Sequence, residues 1–180
     1  MDSNFNIVLI EPEIPNNTGN IGRLCVGSIS TLHIVGKMGF EITDKRVKRA
    51  GLDYWPELDL KIHNNIEDWL KEVGDMERVF LFSSRSEKSF YNTKLQRGDW
   101  LVFGKESVGL DEDLLAKFPS QSLKIPFPGK VRSFNVSNAV KRISWCYFQA
   151  FMMFFCPLFS QAWLKKTSLI KIGSNKGMGM

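Results

Sequence analysis

Five short apolar runs punctuate the chain: FNIVLI (5–10), LHIVG (32–36), RVFLFSS (78–84), WLVFG (100–104) and SLKIPF (122–127). Each is continuous rather than alternating and rich in Val, Ile or Phe, which is how a strand covered on both faces reads. Between them lie helical patterns at NIGRLCVGSIS (20–30), NIEDWLKEVG (65–74) and DEDLLAKF (111–118). The second of these is well punctuated: Asn64 or Asn65 as N-cap, Glu67 and Asp68 in the first turn, and Gly74 as stop. Asp111 caps the third, and Pro119 follows it. Strands alternating with helices predict an α/β domain built on a mainly parallel sheet flanked by helices. No internal repeat or linker interrupts the pattern.

At 180 residues the chain suits one domain with a real core. A formal charge of +5 tilts expectation toward a polyanionic partner. Cys25, Cys146 and Cys156 are odd in number and show no C-x-x-C spacing, so neither a disulfide framework nor a zinc site is expected, and a reducing cytosol is the natural setting. His33 and His63 read as too few and too separated for a metal cluster, and His33, inside a strand run, reads as a satisfied structural histidine. No metal is expected. The N-terminal stretch MDSNFNIVLIEP lacks the basic region and long apolar core of a signal peptide.

In a parallel sheet, ligands gather at the carboxyl ends of the strands. Three polar, glycine-bearing segments are expected there: EPEIPNNTGNIGRLC (11–25), FGKESVGL (103–110) and IPFPGKVRSFNVSNAV (125–140). The first has only Gly19 and Gly22, short of G-x-G-x-x-G, and GRLCVGS has Ser28 where a P-loop needs lysine. It reads instead as a tight turn into a helix, with Asn17 or Thr18 as cap. Asn17, Asn20 and Arg23, three apart, share one helical face, and two amides with a guanidinium suit phosphate or ribose oxygens. Taken alone, that face fits an RNA-facing site and a solvated surface equally well. In FGKESVGL, Gly104 and Gly109 permit close approach or positive φ, and Glu106 projects from the loop. Arg132, Ser133, Asn135, Ser137 and Asn138 fit an elaborate helix cap or a ligand-binding loop, and supply more hydrogen-bonding groups than capping needs.

In this order and each beside a strand, NNTGNIGR, FGKESVGL and RSFNVSNAV resemble the three motifs of the SPOUT class of RNA methyltransferases. They look most like the small tRNA wobble-nucleotide (cytidine/uridine) 2'-O-methyltransferases, as does MGFEITDKRVKRAGLDYW (38–55). The resemblance covers roughly residues 5 to 140. It implies a C-terminal trefoil knot, an S-adenosylmethionine cofactor held largely by backbone, a homodimer and a cytoplasmic setting. By position it implies cofactor contacts at Phe82, Gly104, Ile125 and Ser133. It also implies that Arg23 activates the ribose hydroxyl, supported by Asn17, Glu106, Ser133 and Asn135. Arginine is too weak an acid to serve cheaply as a base, so Arg23 is better read as gripping the target phosphate. The basic run Lys45, Arg46, Lys48 and Arg49 is assigned to tRNA-backbone contact.

After Val140 the resemblance fades. Residues 1–156 are expected to form the methyltransferase domain, with 157–180 an atypical tail whose end, KIGSNKGMGM, reads as disordered. Residues 143–164 approach the length and apolarity of a membrane span, but Gln149, Pro157 and Gln161 weaken that reading, leaving an aggregation-prone or dimer-packing helix as the better expectation and a replaced or frame-shifted tail as the next. The alternatives are a non-catalytic RNA-binding relative and a membrane-attached one.

Overall fold

All five predicted strands form. The computed structural model describes residues 3–40, 53–127, 129–131 and 133–155, the side chains of 149–155 excepted. The basic run Lys45, Arg46, Lys48 and Arg49 lies outside the described residues. The chain divides at Arg142 and Ile143 into two units, and the sheet and site belong to the first.

The strands are β1 (Phe5–Ile10), β2 (Thr31–Val35), β3 (Leu60–His63), β4 (Val79–Phe82), β5 (Lys88–Ser89), β6 (Asp99–Phe103) and β7 (Ser122–Lys124). They lie in the order β3-β2-β1-β6-β4-β7-β5. All six pairings between neighbouring strands are parallel. The helices are α1 (Pro15–Ser28), α2 (Ile66–Glu72), α3 (Glu112–Lys117) and α4 (Val136–Phe155).

Every residue of β2, β4 and β6 is buried, which is why their sequences are unbroken apolar runs rather than alternating ones. One face of the sheet carries Val8, Ile10, Val35, Val79, Leu81, Trp100 and Val102, packed against Trp69 and Val73 from α2 and its end and against Leu110, Leu114 and Phe118 around α3. Side chains alternate along a strand, so Ile7 and Leu9 point to the opposite face.

Both expected caps are present, Asn65 accepting from the Asp68 N–H at 2.8 Å and Asp111 from the Asp113 N–H at 2.8 Å. The start of α1 departs from expectation. It begins at Pro15, with Ile14 as N-cap and no side-chain cap. Proline pre-sets the helical φ at the first position and needs no donor there, so the capping types Asn17 and Thr18 fall inside the first turn, buried. Gly19 and Gly22 therefore sit in the helix rather than in the turn. Gly22 serves close packing: a Cβ there would stand 3.2 Å from Leu58 and 3.3 Å from Trp55. The turn itself is made by Glu11, whose φ is +45°. Strands β3 and β5 are additions that the apolar pattern does not predict.

No helix among the described residues is long and apolar enough to cross a membrane.

Candidate active site

The sheet order explains why three loops far apart in sequence become neighbours. Strands β1, β6, β4 and β7 are adjacent and parallel, so their carboxyl ends emerge side by side. The 11–14 turn, the 104–110 loop and the 125–135 loop leave from those ends.

A chain of side-chain hydrogen bonds ties the three together. Asn17 Nδ2 donates to Glu106 Oε1 at 3.0 Å, and Asn135 Nδ2 donates to Asn17 Oδ1 at 2.9 Å. The orientation is forced: an ionised carboxylate only accepts, so the Asn17 amide must turn its NH₂ to Glu106 and leave its oxygen for Asn135. Asn135 Oδ1 then accepts from the Ser137 N–H at 3.0 Å and the Ser137 hydroxyl at 2.7 Å. The second Glu106 oxygen accepts from the Glu13 N–H at 2.8 Å. Each oxygen of Glu106 thus accepts one bond, tying the 104–110 loop to the 11–14 turn and to α1.

Beside this chain opens a cavity of about 590 Å³, within the range of small-molecule sites. Phe82, Gly104, Glu106, Ile125, Ser133 and Asn135 are among its lining residues. All four expected cofactor contacts thus meet at one cavity. Gly104 is required by close approach: a Cβ there would lie 2.2 Å from the carbonyl carbon of Gly109. Gly109 has φ +79°, a conformation that L side chains rarely adopt. Both permissive roles expected of these glycines are realised in one turn, closed by the Gly109 N–H donating to the Lys105 carbonyl at 2.9 Å.

Arg23 is not among the lining residues. It sits farther along α1 and half exposed, its guanidinium 3.4 Å from Asp53 and stacked 4.8 Å over the Tyr54 ring. Tyr54 donates its hydroxyl to the Gly19 carbonyl of α1, so this aromatic contact is anchored to the helix that carries Arg23. Burial pushes the Tyr54 phenol up, which keeps it protonated as that donor.

Two residues of the site were missed in sequence, Glu13 and Ser107. Ser107 donates its N–H and its hydroxyl to the Glu13 carboxylate, each at 2.9 Å. The only available signal was a carboxylate just past the end of β1, facing a polar loop.

The fold also corrects the separation assigned to the histidines. Strands β2 and β3 are paired, and this brings His33 Nδ1 within 3.0 Å of His63 Nε2. Asn6 Nδ2 donates to the Gly98 carbonyl at 3.0 Å, so its Oδ1 faces His33 Nε2 at 3.3 Å and that nitrogen carries the proton. His33 Nδ1 therefore accepts from His63 Nε2–H. Burial pushes His33 down to about 4, which keeps the ring neutral. Glu72 stands 3.7 Å from His63 and pairs with Lys61. His33, His63 and Glu72 thus bring one potential ligand atom each to within 4.8 Å of one another.

The profile of the SpoU rRNA Methylase family matches residues 4–144. A tRNA (cytidine(34)-2'-O)-methyltransferase of Burkholderia cenocepacia is 41% identical over 138 residues, 76% of this chain and 88% of that protein. One of Saccharophagus degradans is 42% identical over 136 residues, 75% of this chain and 88% of that one. A solved structure concerned with the 2-OH methylation of C/U34 on tRNA superposes with a TM-score of 0.74 at 41% identity, covering 81% of this chain and 94% of its own. Together with a parallel sheet whose motif-bearing loops converge on one cavity, these matches show that the chain belongs to the SpoU rRNA methylase family.

Proposed function

We propose that the protein is an S-adenosylmethionine-dependent tRNA 2'-O-methyltransferase that acts on the ribose of the anticodon wobble nucleotide. The observation that carries this reading is the Asn17–Glu106–Asn135 chain beside a cavity lined by all four family cofactor positions. Relatives at about 40% identity bear the name of that activity.

The cavity fits the cofactor on its own terms. Gly104 lets the 104–109 turn fold back on its own backbone beside the cavity, and the lining mixes Phe82 and Ile125 with the polar Ser133 and Asn135. When bound, S-adenosylmethionine supplies an electrophilic methyl group, so the residues here chiefly align and exclude water. Phe82, Gly104, Ile125 and Ser133 would hold the cofactor. Asn17, Glu106 and Asn135 fix the two loops that flank the reacting centre. Arg23 grips the phosphate next to the target ribose and stabilises the hydroxyl as it loses its proton, which passes to water. A guanidinium remains charged at any physiological pH, so its role is electrostatic.

The family knot, a homodimer and a cytoplasmic setting belong to the same reading. Incubation of the purified protein with methyl-labelled S-adenosylmethionine and total tRNA, followed by mapping of the label, tests it. A 2'-O-methyl at the wobble position is expected, with loss of about a hundredfold or more in Arg23→Ala if one transition-state contact is removed. Cofactor binding without label in any tRNA would overturn the proposal in favour of a non-catalytic RNA-binding protein.

A further inference from the structure

The segment Glu11-Pro12-Glu13 precedes the helix that carries Asn17 and Arg23, yet neither glutamate has a role in the reading above. Its contacts are dense. The Glu11 N–H donates to the Val35 carbonyl at 2.8 Å, and the Glu11 carboxylate pairs with Lys105. The Pro12 carbonyl accepts from the Gly39 N–H at 3.0 Å. Gly39 approaches so closely that a Cβ there would lie 3.2 Å from Glu13 Cα. This fixes the backbone of residue 13 against β2 and its following loop, so the Glu13 side chain extends from a rigid base.

From that base Glu13 makes a reciprocal contact with the apex of the 104–109 turn. Its N–H goes to Glu106, and its carboxylate takes both donors of Ser107. We propose that Glu13 is a positioning residue: by gripping Ser107 it holds the 104–109 turn in the shape that presents Gly104 to the cavity and Glu106 to Asn17. This rests on the functional reading above.

The contact is local by construction. Glu13 and Ser107 are exposed, so cutting it leaves both groups to water and no buried donor stranded. Global stability should barely change, because the core does not touch this pair. The turn is also held by the Lys105–Gly109 closure, by Arg85 Nη2 donating to the Val108 carbonyl at 3.2 Å, by the Lys105–Glu11 ion pair and by the Asn17–Glu106 bond to α1. None of these takes hold of Ser107, which the Glu13 carboxylate grips through both of its donors.

The test compares wild type, Glu13→Ala, Glu13→Gln and Ser107→Ala. Three readouts are taken: affinity for S-adenosylhomocysteine by calorimetry, hydrogen exchange of the peptide spanning 104–110, and KM and kcat for tRNA. Glu13→Ala is expected to speed exchange and weaken cofactor-product binding about tenfold, the scale of one or two charge-assisted hydrogen bonds. KM for tRNA should stay within about twofold, since no phosphate contact is removed. Glu13→Gln should recover much of the affinity, because its oxygen can take the Ser107 N–H while its NH₂ donates to the Ser107 oxygen. Ser107→Ala should fall between wild type and Glu13→Ala, since it keeps the N–H bond. Unchanged affinity and exchange in Glu13→Ala would overturn the proposal. So would equal losses in Glu13→Gln and Glu13→Ala accompanied by a collapse in melting temperature, the mark of a merely structural residue. If the wild-type protein binds no S-adenosylhomocysteine, the functional reading fails by itself, and the exchange data then decide whether Glu13 orders the turn.

Discussion

Asn17 commits both ends of one amide to the site, its nitrogen to Glu106 and its oxygen to Asn135. Asn17→Asp changes one atom and reverses that pattern, setting a carboxylate oxygen 3.0 Å from Glu106 Oε1. Like charges that close cannot both ionise cheaply, so the pair must trap a proton or separate. We expect methyl transfer to fall steeply at neutral pH and to recover partly as the pH is lowered, which a pH–rate profile beside wild type would show. Glu13 gives a second pH signature. The Ser107 hydroxyl and then the Ser107 N–H hold its carboxyl below the ordinary value of 4.5. A lowered folded-state pKa means that the contact is fully present above the ordinary glutamate range and is lost as pH falls through the folded value. The cation beside Glu13 is Lys105, itself paired with Glu11, and the facing carboxylate is Glu106, which accepts from the Glu13 N–H. Exchange of the 104–110 peptide should therefore rise on acidification with a midpoint below 4.5, and that step should vanish in Glu13→Gln.

At the scale of elements, the strands covered on both faces could be read from sequence and the edge strands could not. Strand β3 is at one edge, with Lys61 and Ile62 exposed, so it shows no apolar run. Strand β5 is two residues at the other edge. The beginning of α1 was misplaced because Asn and Thr are cap-forming types, while the actual partners of Asn17, Glu106 and Asn135, come from loops that no local pattern connects. The residue types of the site were legible for the same reason that their pairing was not: chemistry is local in sequence, and hydrogen-bond partners are set by strand order. The N-terminus of β6 shows a further tertiary dependence. Asp99, 1% exposed, takes a forked contact from Arg78 at 2.7 and 2.6 Å and a third bond from the Gln96 N–H at 2.7 Å. Burial pushes this carboxyl up, and the Gln96 N–H and Arg78 oppose it. Arg78→Ala leaves a buried carboxylate short of its counter-charge, a change that costs about 3 kcal/mol or more. A lowered urea midpoint with unchanged slope is expected.

For the molecule as a whole, the formal charge of +5 matters through its distribution. If Lys45 and Arg46 touch the tRNA backbone, each releases counterions on binding, and neutralising both should flatten the log–log salt dependence of tRNA affinity by roughly one to two. An equal loss of affinity at every salt concentration would assign these residues to folding instead.

The place of β1 in the sheet carries one more consequence. It lies between β2 and β6, and its register partner on the β6 side joins Phe5 to Asp99. During synthesis β2 follows quickly, but β6 emerges only after most of a hundred further residues, about 5–20 s at ordinary elongation rates. Through that interval an interior strand of the finished sheet is an apolar edge with unpaired backbone, the kind that recruits other chains. The same delay means that Asn17 has no partner until Glu106 and Asn135 have been made. A ribosome-bound nascent chain of this protein therefore exposes an apolar strand early and completes the Asn17–Glu106–Asn135 chain late.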